Sequence, residues 1–172
     1  LPLEEQLATA ALYYSPRTRP VDVGTDSSRA QGMRALEELN RLAISQSMGT
    51  VVRAGAGYVP PPLDGIWSRY PYLHNNAAPS LCELLTPAQE RVSTYWQGPT
   101  GDPETDFDAD CVGFPVRDQT PESWVLSEDA YFDSAQPGLG NGGHDEMLYD
   151  DDAQLVVTGD VRADLILFLK TL

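Results

Sequence analysis

The chain has 172 residues, of which 41% are hydrophobic and 22% charged, so it is long enough and apolar enough to fold around one core. It carries 26 acidic and 11 basic side chains, and the net charge of −15 argues against nucleic acid as a partner. No run of about 18 apolar residues occurs, so no membrane-spanning helix is expected. The negative net charge favours binding of cations or of basic protein partners.

Residues 1–25 predict a connecting segment, and 26–172 the main domain. The chain opens Leu-Pro-Leu-Glu-Glu, without an initiator Met or a signal peptide, which predicts a processed or truncated start. Asp26 or Ser27 is placed to cap a helix that ends near residues 47–49. The apolar residues that recur at helical spacing along this helix are Ala30, Met33, Leu36, Leu39 and Ala43.

The middle of the chain predicts loops interrupted by short helices. Residues 49–63 hold three glycines and three consecutive prolines, which cannot continue a helix. Ser80 and Glu83 form a capping box that predicts a helix over Leu81–Leu85, and Thr86 begins a second such box. Residues 97–123 are acidic and rich in Pro and Gly, so we expect them to be irregular.

The last third combines aromatic, glycine-rich and helical segments. Residues 124–133 predict a short strand, or a loop that places aromatic side chains in the core, and residues 136–144 predict a loop. A closing helix is expected near 160–171, capped by Thr158 or Asp160. Its predicted apolar face consists of Val161, Leu165, Phe168, Leu169 and Leu172. The predicted fold class is mainly α, with few short helices and long ordered loops.

Loops of this length need something to hold them, such as a disulfide, a metal or a large flat cofactor. Cys82 and Cys111 are the only cysteines, and they lie in neither a CxxC nor a CxxCH arrangement. One disulfide formed in an oxidising compartment fits this pair, and two buried thiols are the alternative. We predict the disulfide.

Only two histidines are present, and His144 follows Asn141-Gly142-Gly143. Glycines let the backbone approach a bulky planar group, and imidazole is a common ligand of haem iron. Asn141 and His144 are therefore candidate cofactor-binding residues. The alternative is an exposed loop histidine beside two acidic side chains.

The other histidine, His74, lies in an aromatic segment with Trp67, Arg69 and Tyr70. Aromatic rings and one arginine can wall a cofactor and bind its carboxylates. A small aromatic core, with His74 bonded to the backbone, is the alternative.

The acidic segment offers oxygen ligands for a calcium ion. Asp106, Asp108 and Asp110 alternate along the chain, but the glycine and terminal glutamate of a complete twelve-residue calcium loop are absent. A solvated acidic loop is the alternative interpretation.

The segment LDGIWSRYPYLHNNAAPSLCELL, residues 63–85, resembles dihaem c-type cytochromes of the cytochrome c peroxidase-like family, including its rubber oxygenase branch. The resemblance continues at Thr86–Arg91, Val112–Phe114 and Phe132–His144, and the last helix is similar to the closing helix of a cytochrome c domain. Residues 23–26 are similar to the segment that follows the second haem motif of that family.

The resemblance implies a cytochrome c-like C-terminal domain, export to the periplasm or outside the cell, and roles for particular residues. His144 matches the distal axial ligand of the C-terminal haem, and Trp67, Tyr70 and His74 match residues near the haem wall. The family attaches haem through CxxCH, which this sequence lacks. Asn76-Ala77 and Cys82 also depart from its pattern.

The predicted function follows from this match and this departure. Haem c is expected to be attached outside this sequence, on an upstream segment or a separate subunit, with His144 completing its coordination. An iron with two axial histidines carries electrons, so any catalysis, peroxidase- or oxygenase-like, belongs to an upstream haem. A basic redox protein is an expected partner. The alternative is a haem-free secreted structural or calcium-binding module of cytochrome-like shape.

Overall fold

The computed structural model describes residues 2–5, 19, 22, 24, 27–55, 57–99, 101–125 and 130–172. The chain divides into two compact units, Leu1–Pro62 and Leu63–Leu172. Most of the connecting segment predicted for 1–25, and the boundary at residues 25 and 26, lie outside the described residues. The α-helices are α1 (Ser28–Gly32), α2 (Ala43–Ser47), α3 (Leu81–Leu84) and α4 (Gly159–Leu169), and the strands are β1 (Thr94–Trp96) and β2 (Tyr131–Asp133). Short 3₁₀ helices cover Met33–Arg41, Ile66–Ser68, Ala88–Glu90, Arg117–Gln119 and Glu146–Leu148.

The prediction of a mainly α fold is wrong, because helix accounts for 34% of the structure and strand for 10%. The physical reason is the density of glycine and proline between the short helices, which orders much of the chain as turns and isolated β-bridges. No helix in the described ranges is both long enough and apolar enough to cross a membrane.

In the first unit, the single helix predicted from residue 26 or 27 is observed as three pieces. The 3₁₀ helix Met33–Arg41 lies between α1 and α2, and the extended backbone of Leu42 ends it. Asn40 and Val52 exchange two hydrogen bonds, of 2.7 and 2.8 Å, so the following loop is tied back to this helix. Neither the 3₁₀ helix nor α2 contains a buried residue.

The second unit holds two clusters of buried apolar side chains. One forms around α3 and α4 from Tyr72, Leu81, Leu85, Leu148 and Ile166, together with Ala78 and Val112. The other is aromatic and consists of Ala77, Tyr95, Phe114, Trp124 and Phe132. Of the aromatic side chains predicted to enter the core from residues 124–133, Trp124 and Phe132 do so, whereas Tyr131 is 42% exposed.

The two strands pair antiparallel and support the aromatic cluster. Tyr95 on β1 lies opposite Phe132 on β2, and their rings stack with centroids 5.0 Å apart. Phe114 contacts Trp124 edge-on at 5.8 Å. Such pairs stabilise by about 0.5–1.5 kcal/mol beyond the apolar area that they bury.

Helix α3 begins with the Ser80 cap that the capping box predicts, but the Glu83 carboxylate accepts from the Val92 N–H and from Arg117. The Ser80 hydroxyl accepts a 3.3 Å hydrogen bond from the Glu83 backbone N–H, and Cys82 is joined to Cys111 by a disulfide. Gly113 pairs with Ser80 in an isolated β-bridge, where a Cβ atom would overlap the Pro79 carbonyl oxygen. The predicted disulfide between Cys82 and Cys111 is confirmed. The close contact with Pro79 requires glycine at position 113.

The closing helix α4 buries only part of the predicted face, together with Ile166, which was not predicted to lie on it. Ile166 is buried, and Leu165 and Leu169 pack against the cluster around it. Val161 and Phe168 are each 56% exposed, although both were expected on the apolar face. The helix carries apolar residues nearly all round, so spacing alone did not determine which of them face inward.

Candidate functional site

His144 lies on the loop that follows β2, just before the 3₁₀ helix Glu146–Leu148. Its side chain is half-buried, and its backbone has a φ of +61°. The left-handed region is uncommon for residues other than glycine, and histidine is among the types that adopt it more readily. Within the described part of the chain, the imidazole makes no hydrogen bond. Its ring nitrogens are therefore not occupied by a neighbouring polar group there.

Arg91 holds this loop from the inside. Its side chain is completely buried, and one terminal nitrogen, Nη1, donates hydrogen bonds to the carbonyls of Asn141 at 2.6 Å and Gly143 at 2.7 Å. Its other donors reach the carbonyls of Thr86 at 2.8 Å and Leu84 at 3.2 Å. The guanidinium thus connects the loop to the segment that follows α3.

Asn75 and Asp145 attach the two ends of the same loop. The Asn75 amide donates to the Gly140 carbonyl at 2.8 Å and to the Gly138 carbonyl at 3.3 Å. An Asp145 carboxylate oxygen accepts a 2.7 Å bond from the Ala88 backbone N–H. Arg91, Asn75 and Asp145 therefore all connect the loop to other segments of the chain.

The electrostatic surroundings keep the His144 ring neutral. Burial lowers the pKa of the imidazole below its ordinary value, and the positive charge of Arg91 lowers it further. Burial also lowers the pKa of Arg91, but a guanidinium remains charged at neutral pH. A neutral imidazole has a free lone pair on one ring nitrogen, which is the form that binds a metal.

The other candidate cofactor residues lie in two places. Asn141 shares the loop of His144, and its side chain donates to the Val92 carbonyl at 3.1 Å. Trp67 and Tyr70 line a cavity of about 330 Å³, where Phe107 contacts the Tyr70 ring at 5.3 Å.

Arg69 and His74 lie in the same aromatic segment. The Arg69 guanidinium is exposed and donates to the Asp64 carbonyl, and His74 is half-buried. Among the described residues, no hydrogen bond or ring contact joins Trp67, Arg69 or Tyr70 to His144. A haem-wall role for these side chains and for His74 stays a prediction.

The candidate calcium ligands make backbone hydrogen bonds. Asp106 is buried and accepts from the N–H groups of Asp102 and Gly101, and the bond from Asp102 is the main cause of its lowered pKa. One oxygen of Asp108 accepts from the N–H groups of Asp110 and Cys111. Across the described ranges, no group of three or more His, Cys, Asp or Glu side chains could hold a metal ion. The calcium site stays a prediction.

Arg91, Asn75 and Asp145 were not identified from the sequence. Asp145 follows His144 and Asn75 follows His74, so adjacency is the signal that could have found these two. Arg91 lies 52 residues from Gly143, and nothing local indicates this contact.

Comparison with known proteins supports the resemblance. Residues 57–97 match the model of a family described as RoxA-like, cytochrome c-like. The chain is 36% identical over 126 residues to the uncharacterized protein y4iJ of Sinorhizobium fredii (strain NBRC 101917 / NGR234), covering 70% of this chain and 19% of that protein. It is 35% identical over 124 residues to the uncharacterized protein y4iM of the same strain, covering 67% of this chain and 27% of that protein.

The chain therefore spans between a fifth and about a quarter of the curated relatives that it matches. No solved structure matches it. The family match includes the aromatic segment, Asn75 and Arg91, and its overlap with the segment that carries the resemblance identifies residues 57–97 as RoxA-like cytochrome c sequence.

Proposed function

We propose that this chain supplies His144 as the distal axial ligand of a c-type haem whose CxxCH motif lies outside these residues, and that this haem transfers electrons within a peroxidase- or oxygenase-like cytochrome. The family match supports a cytochrome-related role. The observation that carries the finer proposal is the His144 ring itself. It is half-buried and without a hydrogen bond in the described residues, on a loop fixed by a buried arginine.

The residues present fit one side of a haem. The sequence contains no CxxCH, so the thioether bonds and the proximal histidine must come from another segment or subunit. An iron porphyrin with histidine on both faces supplies one-electron transfer. In this account, the chain supplies the second histidine of such a haem site, the imidazole of His144.

The chain's own residues have three tasks in this account. Arg91 fixes the backbone that carries His144, and Asn75 holds the preceding turn. Burial and the Arg91 charge keep the ring deprotonated at neutral pH, so no proton must be displaced before it binds a metal.

The net charge supports a basic protein partner, and the disulfide supports export of the chain. A net charge of −15 accelerates encounter with a basic redox protein, and salt weakens this effect. Disulfides persist in oxidising compartments, so the Cys82–Cys111 bond supports export to the periplasm or the cell exterior.

A haem c peptide that contains CxxCH tests the proposal. It carries one axial histidine and an open sixth position, so it represents the haem-bearing partner. We expect the chain to convert the peptide to a low-spin form, seen as a shifted Soret band. His144→Ala should abolish the shift, and Gln136→Ala, an exposed truncation on the same loop, should retain it.

Two results would contradict the proposal. One is a Soret shift that His144→Ala leaves intact, since the ligand would then be another side chain. The other is no shift at all with the wild-type chain. In that case, calcium-dependent melting of the same preparation would favour a haem-free calcium-binding module.

A further inference from the structure

The buried guanidinium of Arg91 has unusual partners. Arginine in a protein interior commonly pairs with a carboxylate, which compensates its charge. Here the Asp145 carboxylate forms an ion pair with Nη2 at 3.9 Å, which is too long for a hydrogen bond. The hydrogen bonds of Arg91 in the described residues all go to four main-chain carbonyls. The side chain is therefore used to fix backbone.

Two of those four carbonyls belong to the loop directly before the imidazole. The Gly143 carbonyl is part of the peptide plane that also contains the His144 N–H. A hydrogen bond of 2.7 Å to this oxygen therefore fixes the plane from which the His144 side chain projects. The bond to the Asn141 carbonyl, at 2.6 Å, fixes the peptide plane that precedes Gly142, so the two bonded planes flank Gly142 and Gly143.

The sequence between these two bonds cannot hold itself in place. Gly142 and Gly143 have no side chains to restrict the backbone, and His144 lies in the left-handed region, which is unfavourable for a residue other than glycine. Freed from Arg91, this turn has many other conformations available. The buried arginine selects one of them.

We propose that Arg91 is the positioning residue of His144: its buried guanidinium fixes the peptide before Gly142 and the peptide after Gly143, so that the imidazole is held ready for an axial position on haem. This inference rests on the function proposed above. The planar guanidinium of Arg91 is required for this role. A lysine at the same position would offer a single ammonium group, which does not reproduce the planar arrangement of donors.

The test compares the affinity of the haem c peptide for three chains: wild type, Arg91→Lys and Ile166→Val. Ile166 is buried on α4, so Ile166→Val lowers stability without removing a hydrogen bond of the loop. We expect Arg91→Lys to weaken binding about 10-fold, the lower end of the effect of losing a hydrogen bond to the side chain of a metal ligand, because Arg91 acts on His144 through the backbone. Ile166→Val should bind as wild type does. Circular dichroism establishes that every chain is folded at the temperature used.

The outcomes separate the two claims. If wild type binds through His144 and folded Arg91→Lys binds equally well, the role of Arg91 is wrong and the proposed function stands. If wild type does not bind, the proposed function fails and the inference fails with it. A folded Arg91→Lys chain with weakened binding supports both, because a purely structural loss would lower the melting temperature and leave the affinity of the folded chain unchanged.

A measurement on wild type covers the case in which Arg91→Lys does not fold. Nitrogen relaxation of Gly142 and Gly143 should give order parameters near 0.85, roughly the value of rigid backbone, although both residues are glycines. Values below about 0.6 would show a flexible turn and would overturn the inference.

Discussion

The two units of the chain contain similar apolar residues, which are exposed in the first unit and buried in the second. In the first unit, Met33, Leu36 and Leu39 are spaced by three and align along one side of a 3₁₀ helix, yet each is between 40% and 47% exposed. In the second unit, Leu81 and Leu148 are completely buried, although they lie on short helical segments between loops.

The difference shows what closes a core in this protein. The described part of the first unit has regular spacing and few cross-links, whereas the second unit has a disulfide, a buried arginine and many bonds from side chains to the backbone. Periodicity predicts which side of a helix is apolar, but burial requires a surface that packs against it. Three predictions test this contrast.

The largest effect is expected from the disulfide, which lies in the second unit. Replacing Cys82 and Cys111 together by Ser should lower the free energy of unfolding of that unit by about 3–4 kcal/mol, because the bond closes a separation of 29 residues. Urea denaturation followed by tryptophan fluorescence measures it, since Trp124 lies in the aromatic cluster. The reductant-treated wild type is the control and should match the double variant. Equal stability of oxidised and reduced wild type would contradict this prediction.

A matched pair of truncations compares the units directly. Leu148→Ala removes a side chain with 0% exposure and should cost about 3 kcal/mol, whereas Leu39→Ala removes one that is 42% exposed and should cost roughly 0.5 kcal/mol or less. Both are measured by chemical denaturation. Equal losses would show that Leu39 is covered in solution, which would contradict the contrast between the units.

High pH should weaken the second unit selectively. Burial raises the pKa of the phenols of Tyr72 and Tyr95 above the ordinary value of 10.0, and the neighbouring Tyr70 adds to the effect on Tyr72. The stabilisation is fully present below pH 10, where both phenols are neutral in the folded and the unfolded state. Above pH 10 the unfolded state ionises first, so stability falls by about 1.4 kcal/mol per pH unit for each buried phenol.

Tyr72→Phe and Tyr95→Phe should each flatten this alkaline decline, as measured by thermal melts across the pH range. Tyr131→Phe, at an exposed position, is the control and should leave the slope unchanged. An alkaline decline that is identical in all four chains would be inconsistent with buried phenols as its cause.

Local signals in the sequence predicted local structure well. The Ser80 cap, the loop that carries His144 and the closing helix were all expected, because each depends on residues close together in sequence. The disulfide was also predictable, since the chain offers a single pair of cysteines. The mainly α fold class was wrong, although the segments rich in glycine and proline were expected to be loops, because the helices between them are short and account for only 34% of the structure.

The long-range part of the candidate site could not be predicted. The contact between Arg91 and Gly143 joins residues 52 apart, and any of ten arginines could have made it. Likewise, Ile166 and Phe168 on α4 are both apolar, and the packing of the other elements decides which is buried. The sequence indicated His144 as a candidate ligand, and the structure shows the side chains that hold its loop.

The central claim, that His144 binds a haem iron, is tested most directly by electron paramagnetic resonance of the ferric haem c peptide bound to chain labelled with nitrogen-15 histidine. We predict a low-spin signal with hyperfine coupling to a labelled imidazole nitrogen, and loss of that coupling in His144→Ala. A high-spin signal with the wild-type chain, or a coupling that survives His144→Ala, would contradict the account.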